Sequence, residues 1–110
     1  TLIENVDPHD EISECELFGP VALLFKVKDF EHALQMANDT PYGLTNYIQT
    51  GDPDRARELA RKLRSGMVEV NGALLSPASP FGGVGLSGVG REGGVWGLEE
   101  FLYPKAVSGI

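Results

Sequence analysis

The sequence has little of what several classes of protein require. Cys15 is the only cysteine among 110 residues, so the chain can form neither an intramolecular disulfide nor a multi-cysteine zinc site. Its nine lysines and arginines are outnumbered by 16 aspartates and glutamates, which gives a net charge of −7. Nucleic acids and anionic membranes are bound through a surplus of basic residues. We therefore expect no nucleic-acid partner, no membrane partner and no metal site.

Targeting signals are also missing from the sequence. No apolar run approaches the roughly 18 residues that a membrane-spanning helix needs. The first residues, Thr1 to Glu4, lack the basic start and apolar stretch of a signal peptide. A cytoplasmic location is therefore expected, and a single cysteine suits a reducing compartment. The first residue is threonine and not methionine, which leads us to expect a piece of a longer protein.

Glycine is abundant where other residues are scarce. Eight of the 14 glycines fall within residues 82–97: Gly82, Gly83, Gly85, Gly88, Gly90, Gly93, Gly94 and Gly97. Two overlapping stretches fit the G-x-G-x-x-G pattern of dinucleotide-binding loops. That pattern works only between the end of a strand and the start of a helix, and here the preceding predicted strand ends near Val70. We reject the fingerprint and predict a closely packed loop that contains positive φ angles.

Strands and helices alternate along the rest of the chain. Strands are predicted at residues 2–6, 21–27, 44–50, 67–70 and 101–107, and the apolar run 21–27 is typical of a strand covered on both faces. Asp29 and Asp52 are expected to cap two helices, the second of which should end at Gly66. A further helical turn or two is predicted within residues 91–98. This order predicts an α/β fold with a parallel sheet.

The predicted elements are too few to cover one another. Three core strands and two helices leave sheet edges and helix faces without partners. We therefore expect the chain to be part of a larger α/β unit or of an oligomer.

Four blocks of residues resemble segments of the aldehyde dehydrogenase superfamily, in the family's order. They are Glu16-Leu17-Phe18-Gly19-Pro20-Val21; Ala37-Asn38-Asp39-Thr40-Pro41-Tyr42-Gly43-Leu44; Gly66-Met67-Val68-Glu69-Val70-Asn71; and Pro80-Phe81-Gly82-Gly83 with Ser87-Gly88-Val89-Gly90-Arg91-Glu92-Gly93. The resemblance covers nearly the whole chain and implies the C-terminal part of that family's catalytic domain. Residues 1–100 would belong to the catalytic domain and residues 101–110 to an oligomerisation strand and tail.

The resemblance implies oxidation of an aldehyde to a carboxylic acid with NAD or NADP as cofactor. In the family a cysteine thiolate attacks the aldehyde, a hydride passes to the nicotinamide, and a glutamate activates the water that releases the acid. These catalytic residues belong to a segment upstream of the one that resembles this chain, so we expect no catalytic residue here. Cys15 does not align with the nucleophile, and we interpret it as a small, semi-buried thiol.

Two cofactor-binding residues are implied by the first block. Glu16 matches a glutamate that accepts hydrogen bonds from the hydroxyls of the nicotinamide ribose, for which a carboxylate has two suitable oxygens. Phe18 matches an aromatic residue that packs beside the nicotinamide. Without the resemblance, Glu16 would be interpreted as an exposed acid at a helix end and Phe18 as part of the core.

Substrate-tunnel residues are implied by the last block and by the loop before it. Phe81 matches an aromatic residue in the wall of the aldehyde tunnel, and Leu74, Leu75 and Ser76 fall in the loop at its mouth. The apolar content of this loop favours an apolar or aromatic aldehyde. Gly85 stands where the family often has a lysine, and we expect a more mobile loop as a result.

The final predicted strand, residues 101–107, resembles the family's oligomerisation strand, and Pro104 suits the edge of a sheet. A homo-oligomer is therefore expected. The alternative function is that of a non-catalytic assembly fragment, which would associate with itself or with a full-length relative.

Overall fold

Two units make up the computed structural model, which describes every residue from Thr1 to Ile110. We call residues 1–41 the N-terminal unit and residues 42–110 the C-terminal unit. Each unit is built around one pair of parallel strands, which agrees with the predicted α/β class. No helix in either unit has both the length and the apolar composition to cross a membrane.

The N-terminal unit contains β1 (Leu2–Glu4), α1 (Glu11–Glu14), β2 (Ala22–Leu24) and α2 (Phe30–Asn38). Strands β1 and β2 are parallel, with Ile3 opposite Leu23. Helix α2 begins at the predicted cap, because the Asp29 carboxylate accepts a hydrogen bond of 2.9 Å from the backbone N–H of His32. Leu34 on α2 is the buried hydrophobic side chain of this unit.

The C-terminal unit contains β3 (Thr45–Ile48), α3 (Pro53–Lys62), β4 (Met67–Val70), a 3₁₀ turn (Gly85–Ser87) and α4 (Gly94–Glu99). Strands β3 and β4 are parallel, from Thr45 opposite Met67 to Ile48 opposite Val70. The buried side chains of this unit, Ile48, Ala56 and Met67, come from β3, α3 and β4. Its small core therefore lies where the crossover helix covers the strand pair.

Helix α3 begins at the residues that the sequence predicts. The Asp52 carboxylate accepts hydrogen bonds from the backbone N–H groups of Asp54 (3.0 Å) and Arg55 (3.1 Å), and Pro53 occupies the first turn. The hydrogen bond from the Arg55 N–H is the main cause that holds the pKa of Asp52 below its ordinary value of 3.8. The cap is therefore strongest when Asp52 is ionised.

A side-chain clip joins the ends of β3 and β4. The Asn71 side chain accepts a hydrogen bond from the Thr50 N–H and donates one to the Thr50 carbonyl, both at 2.9 Å. Asn71 has a φ of +53° and Gly72 one of +72°, and the Ala73 N–H donates to the Val70 carbonyl. This left-handed Asn-Gly turn reverses the chain as it leaves β4.

The prediction of one parallel sheet is wrong, because the structure has two separate two-stranded sheets. The predicted strand at residues 21–27 is reduced to β2, and it is not covered on both faces, since the Leu24 side chain is 44% exposed. An apolar run indicates that a strand is suited to burial, but the helices or strands that would cover it belong to other parts of a fold and are not specified by the run itself. Within this chain β2 has β1 alone as a partner.

Two local predictions are also wrong, and one short helix is missing from the prediction. Helix α3 ends at Lys62 with Leu63 extended, so Gly66 does not end it. Residues 101–107 form no strand, since strand geometry requires a hydrogen-bonded neighbour. The short helix α1 was not predicted, because four residues are too few to show a helical period.

Candidate functional site

Three of the four sequence blocks meet at Gly43 in the C-terminal unit. The Gly43 carbonyl accepts hydrogen bonds from the N–H groups of Gly66 and Val84, both at 3.0 Å. The Gly43 N–H donates to the Ser87 hydroxyl oxygen, also at 3.0 Å. The spacing of the blocks along the sequence therefore brings their backbones together at one point of the fold.

Close backbone packing explains why position 66 is a glycine. A Cβ atom added there would lie 1.9 Å from the Gly82 carbonyl oxygen and 2.9 Å from the Gly83 Cα. No side chain fits in that space, so the glycine-rich loop, residues 81–92, rests directly on the residue that precedes β4. Gly85 and Gly88 within the loop, and Gly93 and Gly94 directly after it, have positive φ angles, as predicted for a closely packed segment of this composition.

The glycine-rich loop is closed at its base by one pair of residues. Phe81 and Glu92 are antiparallel partners that exchange two backbone hydrogen bonds, each 2.7 Å long. Inside the loop, Nη1 of Arg91 donates to the carbonyls of Gly83 (2.8 Å), Gly90 (2.9 Å) and Val89 (3.0 Å). Phe81 is therefore fixed by a backbone pair that lies next to an arginine clamp.

An open groove of about 570 Å³ lies against this loop. Its walls include Leu44, Phe81, Ser87, Arg91 and Phe101. The Phe81 side chain is 49% exposed, so part of its ring is free to touch a ligand. The groove has the size and the mixed apolar and polar lining that small-molecule sites commonly have.

The other predicted tunnel residues lie outside this groove. Leu74, Leu75 and Ser76 belong to the loop that follows the Asn71 turn, and none of them lines the groove. Ser76 instead stabilises its own loop, because its carbonyl accepts a hydrogen bond of 2.8 Å from the Ser79 N–H. The structure therefore brings Phe81 to a groove but does not bring Leu75 and Ser76 to the same one.

Glu16 and Phe18 lie in the N-terminal unit, on the extended segment between α1 and β2. The Phe18 N–H donates to the Glu16 carbonyl at 3.1 Å, which forms a tight local turn. The Phe18 side chain is 98% exposed, and the Glu16 side chain is also exposed and makes no hydrogen bond or ion pair within the chain. Neither side chain has a partner within this chain, so Phe18 is not part of the core of this segment.

Cys15 differs from the prediction of a semi-buried thiol, because it is exposed. It follows α1 directly, and its N–H donates to the Glu11 carbonyl at the end of that helix. The prediction is wrong because it did not include α1, the helix that Cys15 caps at its C-terminal end. No three side chains of His, Cys, Asp or Glu are arranged to hold a metal ion.

Sequence reasoning missed several residues of the groove, among them Leu44, Phe101 and Arg91. No sequence signal places Leu44 or Phe101 at the groove, since both lie in predicted strands whose neighbours the sequence does not specify. Arg91 did carry a signal: it is the only basic residue between Arg64 and Lys105. A single arginine among glycines is suited to bind backbone carbonyls, because its planar guanidinium offers five N–H donors.

Known proteins resemble this chain over almost its whole length. Residues 1–107 match the sequence model of the aldehyde dehydrogenase family. The chain is 46% identical over 109 residues to 3-succinoylsemialdehyde-pyridine dehydrogenase from a Pseudomonas species. The aligned region covers 99% of this chain and 23% of that protein.

Solved structures agree with the sequence match. A mutant of aldehyde dehydrogenase C from Pseudomonas syringae, solved with NAD⁺ and octanal, superposes with a TM-score of 0.92 at 42% identity, over 96% of this chain and 22% of that one. An aldehyde dehydrogenase from Bartonella henselae gives a TM-score of 0.87 at 51% identity, over 91% and 21% of the two chains. The chain thus spans less than a quarter of the length of these relatives. It belongs to the aldehyde dehydrogenase family, of which it represents one segment.

Proposed function

We propose that this chain is the C-terminal segment of an NAD(P)-dependent aldehyde dehydrogenase, an oxidoreductase that converts an aldehyde and water to a carboxylic acid. Its contribution is to bind the cofactor and the substrate tail, while other residues of the enzyme perform the chemistry. When bound, the cofactor accepts the hydride that leaves the aldehyde carbon. Glu16 and Phe18 serve the cofactor, and Phe81 serves the substrate.

The exposure of Phe18 is the observation that carries this proposal. Burial of a phenylalanine side chain stabilises a protein by roughly 1.5–3 kcal/mol, yet this ring is 98% exposed to solvent. The fold of the chain gives it no packing role. An aromatic ring and a carboxylate two residues apart, both free of internal partners, suit a nicotinamide ring and the diol of its ribose. Both residues lie within the block that resembles the family's cofactor segment.

Glu16 and Phe18 are proposed to bind NAD and NADP equally well. The nicotinamide ribose is the same in the two cofactors, because the extra phosphate of NADP is on the adenosine ribose. Discrimination between NAD and NADP must therefore come from other residues of the enzyme.

Phe81 is proposed to bind the tail of an apolar or aromatic aldehyde. Its half-exposed ring and the nearby Leu44 and Phe101 give the groove an apolar surface, which holds a hydrocarbon tail without hydrogen bonds. Leu75 and Ser76, on the exposed loop before Phe81, are proposed to lie at the mouth of the tunnel in the complete enzyme.

Titration of the labelled chain with nicotinamide mononucleotide, followed by NMR, tests the cofactor role. We expect the amide signals of residues 16–21 to shift, and Glu16→Gln to weaken the response because a neutral amide binds the ribose hydroxyls less strongly than a carboxylate does. Glu14→Gln, which removes an acid two residues earlier, is the matched control and should leave the response unchanged. Signals that do not move in the original chain would contradict the proposal.

The chain alone is expected to lack turnover. The family's cysteine and glutamate have no counterpart here, so no nucleophile is positioned to attack the aldehyde. Absorbance of NADH should stay constant when the purified chain is mixed with NAD⁺ and a panel of aldehydes. Sustained NADH formation would show that the chain has a catalytic residue of its own.

An assembly role is a second proposal, and it is favoured by the last ten residues. Phe101 is 87% exposed, and Leu102, Tyr103 and Val107 are exposed as well. So many exposed apolar side chains in one short segment are typical of a surface that binds another protein. Light scattering should detect a homo-oligomer that disappears when residues 101–110 are removed. A monomer at all concentrations would contradict this role.

A further inference from the structure

Arg91 is placed inside the glycine-rich loop in a way that ordinary surface arginines are not. Its side chain is half-buried, and Nη1 lies within 3.0 Å of three backbone carbonyls. No carboxylate lies within ion-pair distance of its guanidinium, so carbonyl dipoles are its partners within the chain. Hydrogen bonds from a charged donor are stronger than those from a neutral one.

The three carbonyls belong to both sides of the loop. Gly83 lies just after Phe81, whereas Val89 and Gly90 lie just before Glu92. The guanidinium therefore ties together the two segments that the Phe81–Glu92 pair joins at the base of the loop. A single pair of residues is a weak link by itself, because an isolated bridge has no neighbouring pairs to hold it in register.

The stem of the arginine also fills space that glycine leaves open. A Cβ atom on Gly82 would lie 2.8 Å from Cδ of Arg91 and 2.2 Å from the Gly90 carbonyl oxygen. The backbone N–H of Arg91 donates in addition to the Glu100 carboxylate at 3.1 Å. Arg91 thus joins the residue after Phe81, the far side of the loop and the end of α4.

We propose that Arg91 is the positioning residue of Phe81: its guanidinium holds the two sides of the glycine-rich loop together, and the loop in turn holds the Phe81 ring in the wall of the groove. The inference rests on the proposed role of Phe81 as the aromatic residue that touches the aldehyde. Arg91 itself acts through Phe81 and does not touch the reacting atoms.

Amide hydrogen exchange, measured by NMR on the whole 110-residue chain, tests the proposal. Arg91→Met keeps the stem but removes the donors, and we expect the Phe81 and Glu92 amides to exchange about tenfold faster or more. The Met67 amide, which is bonded to the Leu44 carbonyl beside the strand pair, should keep its original rate. The matched control is Arg57→Met, because the Arg57 guanidinium pairs with the exposed Asp54 on α3.

Arg91→Lys provides the conservative comparison. An ammonium can donate to the same carbonyls, but its stem is shorter and its donors are not in a plane. We expect an intermediate acceleration at Phe81 and Glu92. If Arg91→Met does not fold, the lysine variant decides alone: acceleration confined to those two amides supports the proposal, and no acceleration overturns it.

Two results of the methionine variant would overturn the proposal. Unchanged exchange at Phe81 would show that the pair holds without the arginine. Equal acceleration at Met67 would show that Arg91 stabilises the whole unit and does not position Phe81.

A separate titration with benzyl alcohol, an unreactive analogue of an aromatic aldehyde, tests the role of Phe81 itself. Shifts of the Phe81 ring signals that Arg91→Met abolishes would support both proposals. If benzyl alcohol does not shift the Phe81 ring signals but the Phe81 and Glu92 amides exchange faster in Arg91→Met, the substrate role of Phe81 is contradicted and the positioning role of Arg91 is still supported.

Discussion

Gly66→Ala is predicted to be the most informative single change in the C-terminal unit. Its φ angle is not left-handed, so alanine suits the local backbone and would by itself stabilise the chain by about 0.4–1 kcal/mol. The obstacle is space, because the new Cβ would lie 1.9 Å from the Gly82 carbonyl oxygen. Real Cβ atoms essentially never come closer than 3.0 Å, so this carbonyl must retreat by about 1.1 Å.

That displacement cannot be absorbed by rotation of a side chain, because each atom in the way belongs to the backbone. It pulls on the hydrogen bonds that Gly43 accepts from Gly66 and Val84. Overpacking costs about 1–3 kcal/mol, and each strained hydrogen bond adds about 0.5–1.5 kcal/mol. We expect the free energy of unfolding to fall by about 2–4 kcal/mol, which is a large share of the stability of a small domain.

Urea unfolding followed by tryptophan fluorescence measures this loss directly. Trp96 is the only tryptophan and lies on α4, so its emission reports on the unit that contains Gly66. The midpoint of Gly66→Ala should fall by about 2 M relative to the original chain. Gly51→Ala is the matched control, because its Cβ would meet no atom within 4 Å. Equal midpoints for the two variants would refute the close-packing reasoning.

Three further predictions concern a helix cap, the strand clip and the cofactor segment. The pKa of Asp52 is lowered in the folded chain, so the ionised carboxylate stabilises the fold fully above pH 3.8, its ordinary pKa, and this stabilisation is lost as the pH falls through the lower pKa of the folded chain. Asp52→Asn, in which the amide oxygen still caps the helix, should therefore show a smaller pH dependence of thermal unfolding, monitored by circular dichroism. Asn71→Gly keeps the left-handed turn but removes both hydrogen bonds to Thr50, so this variant should unfold at a lower urea concentration than the original chain. Asn71→Ala also places a Cβ at a positive φ angle, so it should unfold at a lower urea concentration than Asn71→Gly. Phe18→Ala should change the free energy of unfolding by less than about 0.5 kcal/mol while it weakens binding of nicotinamide mononucleotide, and a large loss of stability would show that the ring packs in the fold.

Local signals in the sequence are sufficient where one residue and its near neighbours decide the outcome. Asp29 and Asp52 begin helices because a carboxylate can reach the first free N–H groups of the same segment. Strand β4 has the same bounds in the prediction and in the structure, Met67–Val70, and it lies between residues that turn or break the chain. Such features depend on interactions only a few residues apart.

Predictions fail where distant partners decide the outcome. The run from Val21 to Val27 and the segment from Phe101 to Val107 both have strand composition, but a strand also needs a neighbour that the local sequence does not specify. The prediction that Gly66 ends helix α3 is wrong for the same reason. Its true neighbour is Gly82, far along the chain, and no local pattern indicates that the two backbones touch.

Some residues of the family blocks are required by the fold, and others are not. Gly43, Gly66 and Ser87 are explained by hydrogen bonds and close packing within the C-terminal unit, so their place in the family blocks follows from folding alone. Glu16 and Phe18 have no such explanation, because both side chains are exposed and the Phe18 ring gains nothing from its surroundings. Residues that match a family block and have no folding role within this segment are available for contact with a ligand or with the rest of the enzyme, and the proposed function assigns Glu16 and Phe18 to the cofactor. Substitutions at the two sets should therefore have different effects: the glycine variants should unfold more easily, whereas the Glu16 and Phe18 variants should fold normally and bind the cofactor more weakly.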